Sequence, residues 1–365
     1  MADEVLQIII KRVKEAKYFS LSVDSSPDEA RIDQLTVVIK YMEASVPVER
    51  FITFIPNCGH TGQQMTDSLL KFLELQGLDI SNCRGQSYDN ALNMTGKYKI
   101  MQALILEKNS FATFIPCCAH SLNLVGKAAA NACPAAVQFF CFIQSLYNYF
   151  TASTGRYQIL CEALKNTERK YTVKNLSDTR WSCRADAIKA LKYGYSAIKQ
   201  ALFDISSNSD EKDIVRNEAL GIHNKMVLLE TAIYTQFWHD ILDRFNATNL
   251  LLQKTTTTLK TAAASLQSLK EYVDAIRNKY DTYESAGIEL SGNEKYEVVR
   301  VRMPNVRLNP LGVKNTTAST QISAEEKFKN EAILPVIEKL VDALDERRTA
   351  YQLICNQFGF LSDIN

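Results

Sequence analysis

The segment Tyr18–Pro56, YFSLSVDSSPDEARIDQLTVVIKYMEASVPVERFITFIP, decides the fold. Phe19, Leu21 and Val23 alternate with other residues, Leu35, Val37, Ile39 and Tyr41 do the same, and Phe51 to Ile55 forms a third run. A period of two is the spacing of a strand with one buried face. The short polar or Pro-bearing connections between the runs predict an antiparallel meander of three strands. Asp24 stands at the expected end of the first strand. A carboxylate there is either a turn former or half of a metal site whose other half lies far along the chain.

Outward from this segment the period changes. Thr61 and Gln64 make a capping-box pattern, Met65, Leu69, Phe72 and Leu73 share one helical face, and Gly77 closes the helix. A short strand around Ile80 to Tyr88 runs into YDNALNMTG, a helix spans about Ala91 to Lys108, the apolar run FATFIPCC reads as a strand, and a further helix opens near His120. Three meander strands followed by two helix-linked strands predict a mixed sheet with helices packed against it, an α/β class. From about Ala135 to Lys279 the pattern is helical: Ile188 to Leu202, Asn217 to Leu229, and one long segment from Trp238 to Tyr280. A final amphipathic helix opens on Ser323 and Glu326, sets Ile333, Val336, Ile337, Leu340, Val341 and Leu344 at helical spacing, and carries Pro335 as an expected kink.

The totals exclude some classes of function. With 365 residues, 46% hydrophobic and 23% charged, the chain has the make-up of an ordinary globular protein of about two domains. A formal net charge of +1 gives no global pull on nucleic acid, so a basic surface must be local. Nine cysteines without regular spacing predict a reduced, intracellular setting. The apolar stretch Cys133 to Phe150 contains Gln138, Gln144, Ser145 and Asn148 and reads as a buried helix rather than a membrane span, so no membrane partner is expected.

Few residues are placed for chemistry. Asp24 and Asp89 fall after the first and fourth strands; if those strands are parallel neighbours, the two carboxylates can share Mg²⁺ or Mn²⁺. Both can equally be turn formers. Cys117-x-x-His120 supplies two ligands, whereas a structural zinc site usually takes four; adding Cys58 and His60 gives unusual spacing, and a packed cysteine beside a histidine at a helix start is the commoner arrangement. In DTRW, Asp178 to Trp181, a guanidinium beside an indole suits phosphate contact and base stacking, or the packing of an interdomain seam. The basic stretch Lys295 to Lys314 either touches a phosphate backbone or forms a solvated loop. No Gly-rich phosphate loop, G-x-S-x-G, H-E-x-x-H or paired C-x-x-C occurs.

SLSVDSS, GQSYDNALNMTGKY, CCAHSLNLV and DTRW, in that order, resemble the catalytic region of hAT-superfamily transposases, and within them the domesticated or degenerate group similar to MYM-type zinc finger protein 1. The resemblance runs from about Tyr18 to the carboxyl end. It implies an RNase H-like mixed sheet flanked by helices and interrupted by a long all-helical insertion: a five-stranded core over residues 1–134, an insertion over 135–322, and a helix returning toward the core over 323–365. It implies that Asp24 and Asp89 are the first two acids of a metal-binding triad, that Cys117 and His120 form the C-x-x-H motif near the scissile phosphate, and that Arg180 and Trp181 handle a displaced base. It further implies DNA as the ancestral partner, Mg²⁺ or Mn²⁺ as cofactor in active members, and a nuclear location.

Two departures accompany the matches. The family's third acid is a glutamate in a motif like SERxFS, and no such motif is recognised here; Glu331 and Glu338 have no motif support as replacements. The family's zinc-binding DNA-recognition module and its dimerisation region are also not recognised. The expectation is therefore a transposase-derived protein that is catalytically incomplete. The alternatives are an active metal-dependent nuclease completed by another acid, and a scaffold whose helical insertion binds protein partners.

Overall fold

The computed structural model describes residues 2–59, 61–88, 97–165, 167, 171–176, 181–254, 257–297 and 323–360. The chain forms two compact units. One comprises Met1–Leu124, Leu251–Ala263 and Arg347–Asn365, the other Val125–Leu250 and Ala264–Glu346.

The first unit opens with helix α1 (Ala2–Ala16), followed by β1 (Phe19–Pro27), β2 (Asp33–Glu43) and β3 (Val46–Pro56). Helix α2 (Gly62–Leu75), β4 (Cys83–Tyr88), α3 (Lys97–Lys108) and β5 (Thr113–Phe114) follow, and α4 (Cys118–Ala130) begins in this unit. The five strands form one sheet in the order β3-β2-β1-β4-β5. The pairs β1–β2 and β2–β3 are antiparallel, whereas β1–β4 and β4–β5 are parallel. The mixed α/β architecture and its five strands follow the expected pattern.

The period-two residues account for the sheet's covered face. Phe19, Leu21, Val23, Leu35, Val37, Ile39 and Tyr41 are all buried, in one core with Ile10 and Val13 of α1 and Met65, Leu69 and Leu73 of α2. Each aliphatic side chain so buried contributes roughly 1.5–3 kcal/mol. The capping box at Thr61 and Gln64 forms as expected. At the other end of α2, Gly77 adopts φ +65°, and the Gly77 and Leu78 N–H groups donate to Glu74 O and Leu73 O at 2.8 and 2.9 Å, which stops the helix there.

Three local readings are corrected. Asp24 does not end its strand: β1 continues to Pro27, because β2 keeps pairing with it up to Pro27↔Asp33. What ends at Val23 is the parallel ladder with β4, whose last pair is Val23↔Tyr88. The apolar run after α3 yields only a two-residue strand, Thr113–Phe114. The Ile115 and Cys117 N–H groups nevertheless reach Gln86 O (2.9 Å) and Tyr88 O (3.3 Å), so the segment follows β4 to its end. The long helical segment expected from Trp238 to Tyr280 is broken into α9 (Leu229–Leu252), α10 (Leu259–Ala275), a 3₁₀ turn (Ile276–Lys279) and α11 (Tyr280–Ser291). The first break falls at the threonine run after Lys254, where the Thr257 hydroxyl donates to Leu251 O at 2.5 Å in competition with helix bonds.

The second unit is helical. It contains α5 (Pro134–Thr151), α6 (Thr154–Leu164), α7 (Trp181–Ser207), α8 (Asp213–Val227), α11, α12 (Ala324–Phe328), most of α9 and α10, and the first part of α13 (Leu334–Phe358). Between α12 and α13 the helix widens into a π turn over Lys329–Ile333, with Leu334 N–H donating to Lys329 O. This turn ends two residues before Pro335, which has no amide to give and would crowd an ordinary helical turn. The freed geometry is used: Ala332 O accepts from Tyr234 OH at 3.0 Å. Aromatic rings dominate the interior; Phe140 meets Trp238 edge-on at 4.9 Å, and Phe237 meets Tyr283 at 5.9 Å.

Candidate functional site

Because β1 and β4 are parallel and adjacent, their carboxyl ends lie side by side, and the residues after the last pair, Val23↔Tyr88, are Asp24 and Asp89. Asp89 itself lies outside the described residues. Asp24 is exposed and pairs with Thr36 of β2. By strand alternation it shares a face with Ser20 and Ser22, opposite the buried Leu21 and Val23. Ser20 and Ser22, with Gly85, Ser87, Val38 and Ile115, line a recess of about 260 Å³ on that face.

The chain segment that follows β4 brings the C-x-x-H motif to the same edge. Cys117 is tied to Tyr88 O through its N–H, and its own carbonyl accepts from Ser121 N at 2.9 Å, which starts α4. His120 therefore sits in the first turn of α4, one helical step from Cys117 on the same side. The Tyr351 hydroxyl of α13 donates to Pro116 O at 2.7 Å and braces this entry from the other side.

Electrostatics ties these pieces together. His120 is held below the ordinary imidazole value, chiefly because burial disfavours its charged form; the Asp24 carboxylate opposes that shift and the Arg347 guanidinium adds to it. The His120 imidazole is thus within electrostatic reach of both the Asp24 carboxyl group and the Arg347 guanidinium. A guanidinium and an imidazole suit an anionic phosphate oxygen. Beside them, burial pushes the Cys118 thiol up to about 11, which makes it a packed group rather than a nucleophile. Arg347 was not among the candidates read from the sequence; the only signal was the charge run DERR at 345–348, set in a helix that otherwise reads as amphipathic packing.

Metal ligation is thinner. Among the described residues no group of three or more His, Cys, Asp or Glu side chains could hold a metal ion. Asp24 is the one carboxylate described at this edge by motif, so these residues alone do not furnish a cation site. Cys58 is buried, with its thiol donating to Ile55 O at 3.1 Å, and His60 lies outside the described residues. Of the basic stretch, Lys295 is described and Arg300, Arg302, Arg307 and Lys314 lie outside.

Trp181 belongs to the second unit and is 5% exposed. Its indole packs against Phe140 and Trp238, each at 6.2 Å between ring centres, and against the bare Cα of Gly126. Arg180 and Asp178 lie outside the described residues. Among the described residues, the Arg184 guanidinium stacks on this indole, 5.2 Å from the ring centre and 4.6 Å from that of Phe140. Reaching a base with Trp181 would require this packing to open. Cys183, two residues on, lines a cleft of about 770 Å³ with Tyr147, Tyr157 and Lys174. Among the described residues no single helix is long and apolar enough to cross a membrane.

Comparison with known proteins agrees with the first unit's architecture. Residues 1–99 match the family described as ZMYM1/FAM200, RNase-like domain (DUF4371). Two curated proteins are similar over nearly the whole chain, both called "52 kDa repressor of the inhibitor of the protein kinase". The one from Homo sapiens is 21% identical over 350 residues, and the one from Mus musculus 20% over 352. Each alignment covers 92% of this chain and 45% of the relative, so the chain spans a little under half the length of these proteins. The amino-terminal part of the chain, with β1 to β4, is thus similar to the ZMYM1/FAM200 RNase-like domain.

Proposed function

We propose that this is a transposase-derived protein of the hAT type, with an RNase H-like first unit that holds nucleic acid at the β1–β4 edge and is catalytically incomplete. The ancestral chemistry is metal-dependent cleavage and strand transfer of DNA phosphodiesters. The observation that supports the reading is the parallel register setting Val23 beside Tyr88, so that Asp24 and Asp89 are the next residues in sequence after the last pair, with His120 under the influence of Asp24 and Arg347. In this reading Arg347 holds a phosphate oxygen, neutral His120 donates or accepts a proton at it, and Asp24 orients the imidazole. Mg²⁺ or Mn²⁺, where bound through Asp24 and Asp89, would neutralise phosphate charge; without a third acid its hold is weak. The partner is DNA and the location nuclear.

Plasmid nicking by the purified chain in Mn²⁺ or Mg²⁺, with Asp24→Ala and Asp89→Ala beside it, tests the proposal. Little or no nicking is expected. Robust nicking lost in both variants would make the protein an active nuclease.

A second reading is a regulatory binding module, favoured by the name repressor carried by the human and mouse relatives. Protein partners captured equally by the wild type and by the Asp24→Ala, Asp89→Ala double variant would support it.

A further inference from the structure

At the amino ends of the three parallel strands, opposite the Asp24 edge, each strand contributes one residue to an exposed stack. Tyr18 precedes β1, Arg84 lies in β4 and Phe111 precedes β5. The Arg84 guanidinium lies 4.2 Å from the Tyr18 ring centre and 5.6 Å from that of Phe111, and the Lys17 ammonium lies 5.3 Å from the Tyr18 ring. Phe111 is 71% exposed and Tyr18 47%.

The stack is built rather than incidental. Lys17 takes φ +64°, a left-handed conformation uncommon for a side-chain-bearing residue, and the turn it makes sets Tyr18 outward. Arg84 is pinned through Nη1 to Ser81 O (2.7 Å) and Cys83 O (3.1 Å). The turn that presents Phe111 is fixed by Asn109, only 6% exposed, whose amide donates to Ile80 O and Cys83 O at 2.8 and 2.6 Å and whose Oδ1 accepts from Phe111 N at 3.0 Å. Holding an apolar ring rigidly in water adds nothing to folding through burial. Lys17 and Arg84 supply the stack's two cations, whereas the Asp79 carboxylate is oriented by bonds from Ser81 N and Oγ at 2.8 and 2.6 Å.

We propose that Lys17, Tyr18, Arg84 and Phe111 form a contact site for single-stranded nucleic acid, with a base stacking on Phe111 and backbone phosphates on Arg84 and Lys17. Aromatic faces interleaved with cations are what a strand requires, since every base has a π-face and every link a charge. The site is separate from the Asp24 edge and does not depend on its metal chemistry.

Anisotropy of a fluorescein-labelled 20-residue oligothymidylate, with EDTA present, tests the site apart from the nicking assay. Phe111→Ala should weaken binding about 5- to 100-fold. Arg84→Gln should reduce the salt slope by about 0.7. Leu75→Ala, which removes a comparably exposed apolar side chain, should change neither. Absence of wild-type binding, or equal binding by Phe111→Ala and Arg84→Gln, would overturn the proposal. So would a polyglutamate peptide bound in preference to the oligonucleotide and lost in Phe111→Ala, which would assign the stack to an acidic protein partner.

Discussion

Replacing Trp181 by alanine separates a packing role from a base-stacking role. At 5% exposure, with Phe140 and Trp238 against its ring, the indole should cost the second unit about 3–5 kcal/mol when removed. The aromatic contacts account for about 0.5–1.5 kcal/mol each within that loss. Gly126→Ala probes the same packing from the other side. A Cβ there would stand 2.4–2.7 Å from three indole atoms, inside any tolerable contact, so the neighbour must shift. Relieving the helix of a glycine gains about 1 kcal/mol. Overpacking against a ring hemmed in by two others costs about 1–3 kcal/mol, so a net loss is expected. The assay is urea unfolding followed by far-UV circular dichroism. If Trp181→Ala unfolds within about 1 kcal/mol of the wild type, the indole is not a core residue and the assignment fails.

Tyr351→Phe removes the hydroxyl that braces Pro116 O and should destabilise the first unit by about 0.5–1.5 kcal/mol, the net worth of one partly buried hydrogen bond; urea unfolding reads this directly. In iodoacetamide labelling of the native protein at pH 8, Cys141, which is exposed, should react first, whereas Cys83 and Cys118, both pushed up to about 11 by burial, should remain unmodified until the protein unfolds. His120 should also make stability pH-dependent. Its folded value lies below the unfolded one, so the unfolded chain binds the proton more readily; its contribution is fully present above about pH 6.5 and lost as pH falls through the lowered value. His120→Gln should flatten that part of the stability profile.

The first two strands were legible because a half-buried antiparallel sheet writes its pattern at every second residue, from Phe19 to Tyr41, whereas β3 was read from its β-prone run Phe51 to Ile55, of which only Ile52 is buried. The parallel adjacency of β1 and β4 was only conditional: a strand order depends on crossovers, and Cys83–Tyr88 has no local mark of its neighbour. The end of β1 was misread because Asp, Ser, Ser and Pro look like a turn, while the pairing that extends the strand comes from β2. The long helical segment from Trp238 hid its first break because a threonine run differs little from helix in hydrophobic period. Arg347 was illegible for a different reason. It lies 227 positions after His120, and nothing in a one-dimensional pattern relates the two. The indole of Trp181 pointed to chemistry in the motif, yet burial is set by Gly126, Phe140 and Trp238, none of which lies near it in sequence.

Asp24 and Arg347 act in opposite directions on the His120 imidazole beyond the carboxyl ends of β1 and β4. NMR titration of the His120 imidazole measures this most directly. A midpoint below about 6.5 is predicted, with Asp24→Asn moving it further down and Arg347→Gln moving it up. A midpoint at the ordinary histidine value that neither substitution moves would contradict the account.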